Sequence, residues 1–279
     1  MKRRYFVLFI AFLAVTGFFY ACHNSQSPKG ALTFSTLQFA KTYHLFEDTL
    51  APTCELKIDY TYPVGSSEKE LSDSLNKLFI INCFGEEYAG KEATDVVNQY
   101  AETYIKNYRE DLEETYLQDK KDGNERDKGG WYFYSKDIKS EVQFYEDNLL
   151  VYSINTYEYT GGAHGIILTY FLNIDLTKMR PLGLDDIFKG NNYKNILTDL
   201  LWNQLMVDNK VNTRSELENM GYGSTSGELV PTENFYLNRE GITFYFNVYE
   251  FAPYALGPVE ITLPYNSVAN IINLKGIIN

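Results

Sequence analysis

Histidine and cysteine are scarce, with three of each in 279 residues. No CxxC pair occurs, neither Cys54 nor Cys83 has a histidine neighbour, and His23, His44 and His164 are widely scattered. Metal sites need such ligands clustered at short spacing, so no metal is implied, and nothing points to another cofactor. No serine or cysteine stands in a nucleophile-elbow setting. Positive charge is also short: 25 Lys and Arg face 37 Asp and Glu, for a net charge of −12. Such a surface is a poor ligand for nucleic acid or anionic lipid, both polyanions, and a good one for a cationic protein. Prolines number only eight, and no Pro- or Ser-rich linker divides the chain. Its length fits one large domain or two tightly packed halves.

What is present begins at the N-terminus. Lys2, Arg3 and Arg4 precede an apolar run from Tyr5 to Tyr20, broken only by Thr16 and Gly17. A charged start, a short apolar core and a small residue before the break make a secretory signal, and the run is short for a stable membrane span. Cys22 directly after Ala21 gives it the form of a bacterial lipoprotein signal, in which that cysteine carries the lipid. Phe19 and Tyr20 depart from the usual smaller aliphatics, and a plain secretory signal or an uncleaved anchor is the alternative. Residues 1–21 are read as the signal and 22–31 as a tether. Removing the signal would take the charge from −12 to −15. Membrane contact is then expected only through the N-terminal lipid, at the periplasmic or outer-membrane face. Cys54 and Cys83 are left as an even pair, free to form one disulfide in an oxidising compartment or to stay as two buried thiols.

The pattern downstream is α+β. Leu56, Ile58, Tyr60 and Tyr62 alternate with Glu55, Lys57, Asp59 and Thr61, the period of a half-buried strand. Helical spacing predicts helices from about Glu68 to Asn82 and from Thr94 to Leu117, the second with Val97, Tyr100, Ala101, Tyr104, Tyr108 and Leu112 on one face. Its tyrosine stripe suggests either a carbohydrate platform or, as preferred here, core packing with wet hydroxyl ends. Residues 119–130 read as a charged loop. Strands are expected at 131–134, 138–145, 149–159, 166–174, 235–237, 242–246 and 259–263, with a further helix capped by Asn191 or Asn192. The architecture implied is antiparallel sheets with helices on one face, in halves 32–145 and 146–279.

The stretch Tyr157 to Gly165 holds Gly161, Gly162 and His164 between two apolar strands. Glycines there allow backbone angles and close approaches that other residues resist. His164 suits a general base or, as preferred here, a turn-fixing hydrogen bond. Asp185 and Asp186 suit a calcium site or a helix cap, the cap being preferred. Glu250 lies between Tyr249 and Phe251, where an acid amid aromatics is either partly desolvated or bound to backbone N–H groups. Tyr249, Tyr254 and Tyr265 would rim one loop if it folds against the His164 turn.

Tyr159-Thr160-Gly161-Gly162-Ala163-His164, the run from Phe246 to Pro258, the segment Ile261 to Tyr265 and the turn Pro181 to Phe188 resemble the signatures of the domain of unknown function numbered 3298. The region before residue 145 is similar to its usual companion, the domain numbered 4163. The resemblance implies a sensing or binding module: one kind of relative is a membrane-anchored anti-sigma factor that binds lysozyme, another a peptidoglycan deacetylase with a separate catalytic domain. This chain lacks the sigma-binding segment and transmembrane helix of the first and the metal-binding catalytic domain of the second. The expectation is therefore a lipid-anchored bacterial cell-envelope binding protein rather than an enzyme, with no catalytic residue assigned. Its candidate ligands are a lysozyme-like cationic protein or peptidoglycan, with Gly161, Gly162, His164, Tyr249, Glu250, Phe251 and Tyr254 as candidate contact residues. The alternatives are an envelope hydrolase using His164 and Glu250, and a purely structural lipoprotein.

Overall fold

The computed structural model describes residues 32–66, 69–124, 130–223 and 228–278. The signal, the tether and Cys22 lie outside the described residues. Strands β1 (Thr33–His44) and β2 (Thr53–Gly65) precede helices α1 (Lys69–Phe84) and α2 (Ala93–Asp122). Strands β3 (Tyr134–Glu146), β4 (Leu149–Thr160), β5 (Ile166–Asp175) and the short β6 (Arg180–Pro181) follow. Together the six strands form one sheet in sequence order. All neighbours are antiparallel except β2 and β3. That exception has a cause: parallel neighbours need a long crossover, and α1 with α2 supplies it.

The rest of the chain adds α3 (Leu184–Ile187), α4 (Tyr193–Asn209), α5 (Arg214–Asn219), β7 (Phe235–Leu237), β8 (Gly241–Phe246), β9 (Val259–Pro264) and α6 (Tyr265–Val268). β7, β8 and β9 make a second, three-stranded antiparallel sheet. The fold is thus α+β with predominantly antiparallel sheets. Strand β4 is its spine, because alternate residues serve two cores. Leu150, Tyr152 and Ile154 face α1 and α2, together with Leu56, Ile58 and Tyr60 of β2. Leu149 and Val151 face the other way, into a core built from α4 and the small sheet. The β3–β4 hairpin carries the large sheet straight across residue 145, where the sequence placed a border.

Three local readings change. Helix α2 continues to Asp122, because Asp119 is not a loop residue: it is buried, and the Tyr132 hydroxyl donates to its carboxylate. Helix α5 was not anticipated. Thr213 Oγ1 accepts from the Glu216 N–H at 3.2 Å and the Glu216 carboxylate accepts from the Thr213 N–H at 2.9 Å, a reciprocal capping box. Asn192 does stand before α4, but its side chain does not cap the helix.

Asparagine side chains join the two sheets. β6 covers only Ile174 and Asp175 of the β5 edge. Farther back, the N–H groups of Thr169 and Phe171 donate to Asn247 Oδ1 and Asn234 Oδ1 at 2.7 and 3.0 Å. Asn234 Nδ2 donates to the Thr169 carbonyl at 2.8 Å. Asn173 reaches outward instead, donating to the Phe235 carbonyl at 2.7 Å and accepting from the Leu237 N–H at 2.9 Å. Each amide carries both a donor and an acceptor, so it pairs with strand backbone as a neighbouring strand would.

Of the two states left open for Cys54 and Cys83, the free thiols are the one found, and no disulfide joins them. Cys54 lies at one end of β2, in a small core with Leu45 and Tyr108. The Cys83 sulfur lies 3.7 Å from the Tyr152 hydroxyl and near Tyr60, whose own hydroxyl is raised first by burial and then by Cys83. Tyr60 is six residues along β2 from Cys54, about 20 Å at strand rise, whereas a disulfide needs Cα atoms within about 7 Å. Burial pushes both thiols up to about 12, which leaves them inert near neutral pH.

Candidate functional site

The turn after β4 is built on glycine for two separate reasons. Gly161 and Gly162 have φ of 85° and 98°, where residues with a Cβ are strained. Gly161 is also crowded, since a Cβ there would stand 2.6 Å from the Trp131 carbonyl oxygen. The Tyr159 hydroxyl lies 2.9 Å from the Gly162 carbonyl and 3.2 Å from that of Gly130. It thus ties the turn to the segment entering β3.

The loop leaving β8 is shaped by its own residues. The Glu250 carboxylate accepts from the Asn247 N–H at 2.7 Å, and the Glu250 N–H donates back to the Asn247 carbonyl at 3.1 Å. Glu250 is exposed and holds a turn, so it is not a desolvated acid. Phe251, expected at the contact surface, is corrected to a core residue. It is 1% exposed, with Trp202, Phe246 and Tyr222 rings at 5.6, 5.5 and 6.1 Å. Its burial pins the loop and leaves Tyr249 and Tyr254 on the outside.

Turn and loop meet at His164. Its ring stacks on Tyr254 with centroids 4.2 Å apart, and Tyr249 lies 5.6 Å from Tyr254. His164 Nδ1 is 3.0 Å from the Gly165 carbonyl, and Nε2 is 3.4 Å from the Tyr249 hydroxyl. A carbonyl only accepts, so Nδ1 carries the proton, and in the neutral ring Nε2 accepts from Tyr249. The Tyr254 hydroxyl donates to the same Gly165 carbonyl at 3.1 Å. Trp131, on the segment entering β3, and Tyr249 and Leu256, both on the loop leaving β8, stand exposed at 56, 47 and 43%. Trp131 and Leu256 were not among the expected contact residues: Trp131 belongs to no motif, and although Leu256 lies in the Phe246–Pro258 run, its exposure is a product of packing.

Tyr265 does not join this cluster; its hydroxyl donates to the Asn238 carbonyl at 2.7 Å. Nor do the acids form a catalytic pair. His164 is bonded to Tyr249 and a carbonyl, and Glu250 to backbone. Asp186 accepts from the Gly183 N–H at 2.9 Å at the start of α3 and pairs with Arg180, whose hydrogen bond holds its carboxyl down at about 2. Asp185 accepts from the Tyr193 hydroxyl. Among the described residues no group of His, Cys, Asp and Glu could hold a metal ion. What the cluster offers is a rigid aromatic surface with hydrogen-bonding tips.

Comparison with known proteins accounts for both halves of the chain. Residues 52–167 match the family model for Deacetylase PdaC, and residues 185–266 match the model for Protein of unknown function (DUF3298). The Peptidoglycan-N-acetylmuramic acid deacetylase PdaC of Bacillus subtilis is 25% identical over 136 residues, covering 48% of this chain and 28% of that protein. The chain therefore spans little more than a quarter of that relative. A DUF3298 family protein from Pseudomonas aeruginosa shares the fold at 16% identity and a TM-score of 0.58, over 89% of this chain and 97% of that one. The crystal structure of a DUF3298 family member from Bacteroides fragilis is 56% identical, with a TM-score of 0.85, over 88% of this chain and 95% of its own. On that similarity, and on the signatures at the glycine–histidine turn and the Phe246–Pro258 loop, the chain belongs to the DUF3298 family.

Proposed function

We propose that this protein is a non-catalytic recognition module of the bacterial cell envelope, anchored by lipid on Cys22, that binds a cationic protein of the lysozyme type. The observation that carries the reading is the meeting of the glycine–histidine turn and the loop leaving β8 in one aromatic surface around His164, with Tyr249 exposed. Tyr and Trp side chains held rigid lose little entropy on binding, and they dominate the energetics of protein interfaces. The net charge of −12 adds long-range attraction for a basic partner and speeds encounter. Relationship to a peptidoglycan deacetylase supports an envelope setting and makes peptidoglycan the second ligand to test.

Charge alone binds any basic protein weakly, and salt screens it beyond about 8 Å at physiological ionic strength. Binding to lysozyme and to an unrelated basic protein of similar size is therefore compared from low to physiological salt. Lysozyme binding should persist, and Tyr254→Ala or Trp131→Ala should weaken it at least about tenfold, as loss of an interface hot spot does, with melting unchanged. Binding that fades equally for both proteins would reduce the interaction to acidity. The anchor is tested separately: labelled fatty acid should be incorporated, and Cys22→Ala should abolish it. Labelling that survives in that variant would refute the anchor.

A further inference from the structure

The two edges of the large sheet are finished differently. It ends at β1 on one side and at β5 and β6 on the other. The β5 edge is closed by β6 and by the asparagine amides of the small sheet. Strand β1 runs for 12 residues, about twice the length of a typical strand, and pairs with β2 alone.

Hydrogen bonds on β2 show which backbone groups of β1 face outward. The Thr61 N–H donates to Ser140 Oγ at 2.9 Å and the Thr61 carbonyl accepts from the Tyr152 hydroxyl at 2.6 Å, so both point away from β1. Thr36 stands opposite Thr61, and theirs is therefore a pair that exchanges no backbone bonds. Such pairs alternate with bonded ones along an antiparallel ladder, and the register is unbroken from Phe34 to His44. Thr36, Gln38, Ala40 and Thr42 thus turn their N–H and C=O groups to the open edge. Among the described residues these groups have no hydrogen-bond partner, and Gln38, Ala40 and Thr42 are exposed. Long edges are commonly guarded by proline, bulges or charges. Here there is no proline, one register shift at the start of the strand, and a single charge, Lys41.

We propose that β1 pairs antiparallel with β1 of a second copy, across a twofold axis at Phe39, joining two sheets into one. Charge favours a second copy over a basic protein. In a chain with 37 acids, residues 33–44 hold none, so a basic partner finds no counter-charge on this strand and an acidic copy meets no acid. On the open face, Glu55 and Asp59 stand beside Thr42 and Gln38. The two β2 strands would lie three strand spacings apart, about 14 Å, beyond the screening length of about 8 Å at physiological ionic strength. Side chains suit each other in this register. Thr36 meets Thr42 and Gln38 meets Ala40 in pairs that exchange backbone bonds, while Phe39 meets its own copy. Lys41 lays its stem beside Leu37 rather than facing a second lysine. Pairing over residues 36–42 is small beside a standard interface, so the dimer is reversible. It does not depend on the His164 surface.

Sedimentation of the intact chain in mild detergent, with micelles in excess, should show a dimer that dissociates on dilution. Hydrogen exchange at the Gln38, Ala40 and Thr42 amides should slow as it forms. Ala40→Pro removes an outward N–H and no β1–β2 bond. Gln38→Lys with Ala40→Lys sets like charges opposite each other on both sides of the axis. Both variants should melt as the wild type and sediment as monomers. Mixing the Gln38→Lys, Ala40→Lys chain with a Gln38→Glu, Ala40→Glu chain should restore pairing as heterodimers. A wild-type chain that stays monomeric at every concentration would overturn the proposal and leave the edge to a strand of another protein. A dimer that survives in the double-lysine variant, or no heterodimer on mixing, would overturn it too. So would slow exchange of the three amides in the dilute monomer, the result expected if residues 22–31 fold back onto β1.

Discussion

Gly161→Val is expected to destabilise the protein by roughly 3 kcal/mol or more. An L-residue forced into positive φ costs about 1–2 kcal/mol, and Gly161 sits at 85°. The added Cβ would also stand 2.6 Å from the Trp131 carbonyl oxygen, 3.2 Å from its carbonyl carbon and 3.3 Å from its Cα. All three atoms are backbone, so no rotamer change relieves the clash. The segment cannot easily withdraw either, since the Tyr159 hydroxyl and the Phe133 N–H both hold the Gly130 carbonyl. Gly162 provides the control. Its φ is 98° but a Cβ would meet nothing within 4 Å, so Gly162→Ala should cost only about 1 kcal/mol. Denaturant midpoints of the two variants measure the difference. Equal losses would mean that φ alone matters and that the approach to Trp131 does not.

Asn173→Leu should cost roughly 2–5 kcal/mol, since removing one partner leaves buried backbone groups paying about 1–3 kcal/mol each. Asn173 is 2% exposed, and the leucine would fill similar space. The Phe235 carbonyl and the Leu237 N–H would both lose their partner. Asn173→Asp separates the two bonds, because a carboxylate still accepts from Leu237 but opposes the Phe235 carbonyl. Both variants should speed hydrogen exchange at the small sheet, the leucine one most directly at the Leu237 amide. Wild-type melting in Asn173→Leu would show that the sheets are held by apolar packing alone.

Local pattern carried much of the secondary structure. The period of two in Leu56, Ile58 and Tyr60 and the helical spacing of Leu71, Leu75 and Phe79 each reflect one face turned to a core, and all six residues are buried. The α5 capping box was equally local: Thr213 and Glu216 spell its signature three residues apart, and that signal went unused. Asp119 could not be read this way. Its partner Tyr132 lies beyond the helix end, and without that bond the charged run 119–122 is indistinguishable from loop.

The sequence by itself determined the α+β class, the family resemblance, the acidic surface and the glycine–histidine turn, because each rests on composition or on residues close together in the chain. The tertiary structure decided the rest. Only packing shows that β2 and β3 run parallel, that asparagines 62 to 78 residues from their partners join the sheets, and that Cys54 and Cys83 lie too far apart to bond. It also turns Phe251 inward while Tyr249 and Tyr254 close on His164 from 85 and 90 residues away. A side chain's direction there follows from which cavity its neighbours leave to be filled, and those neighbours come from distant parts of the chain.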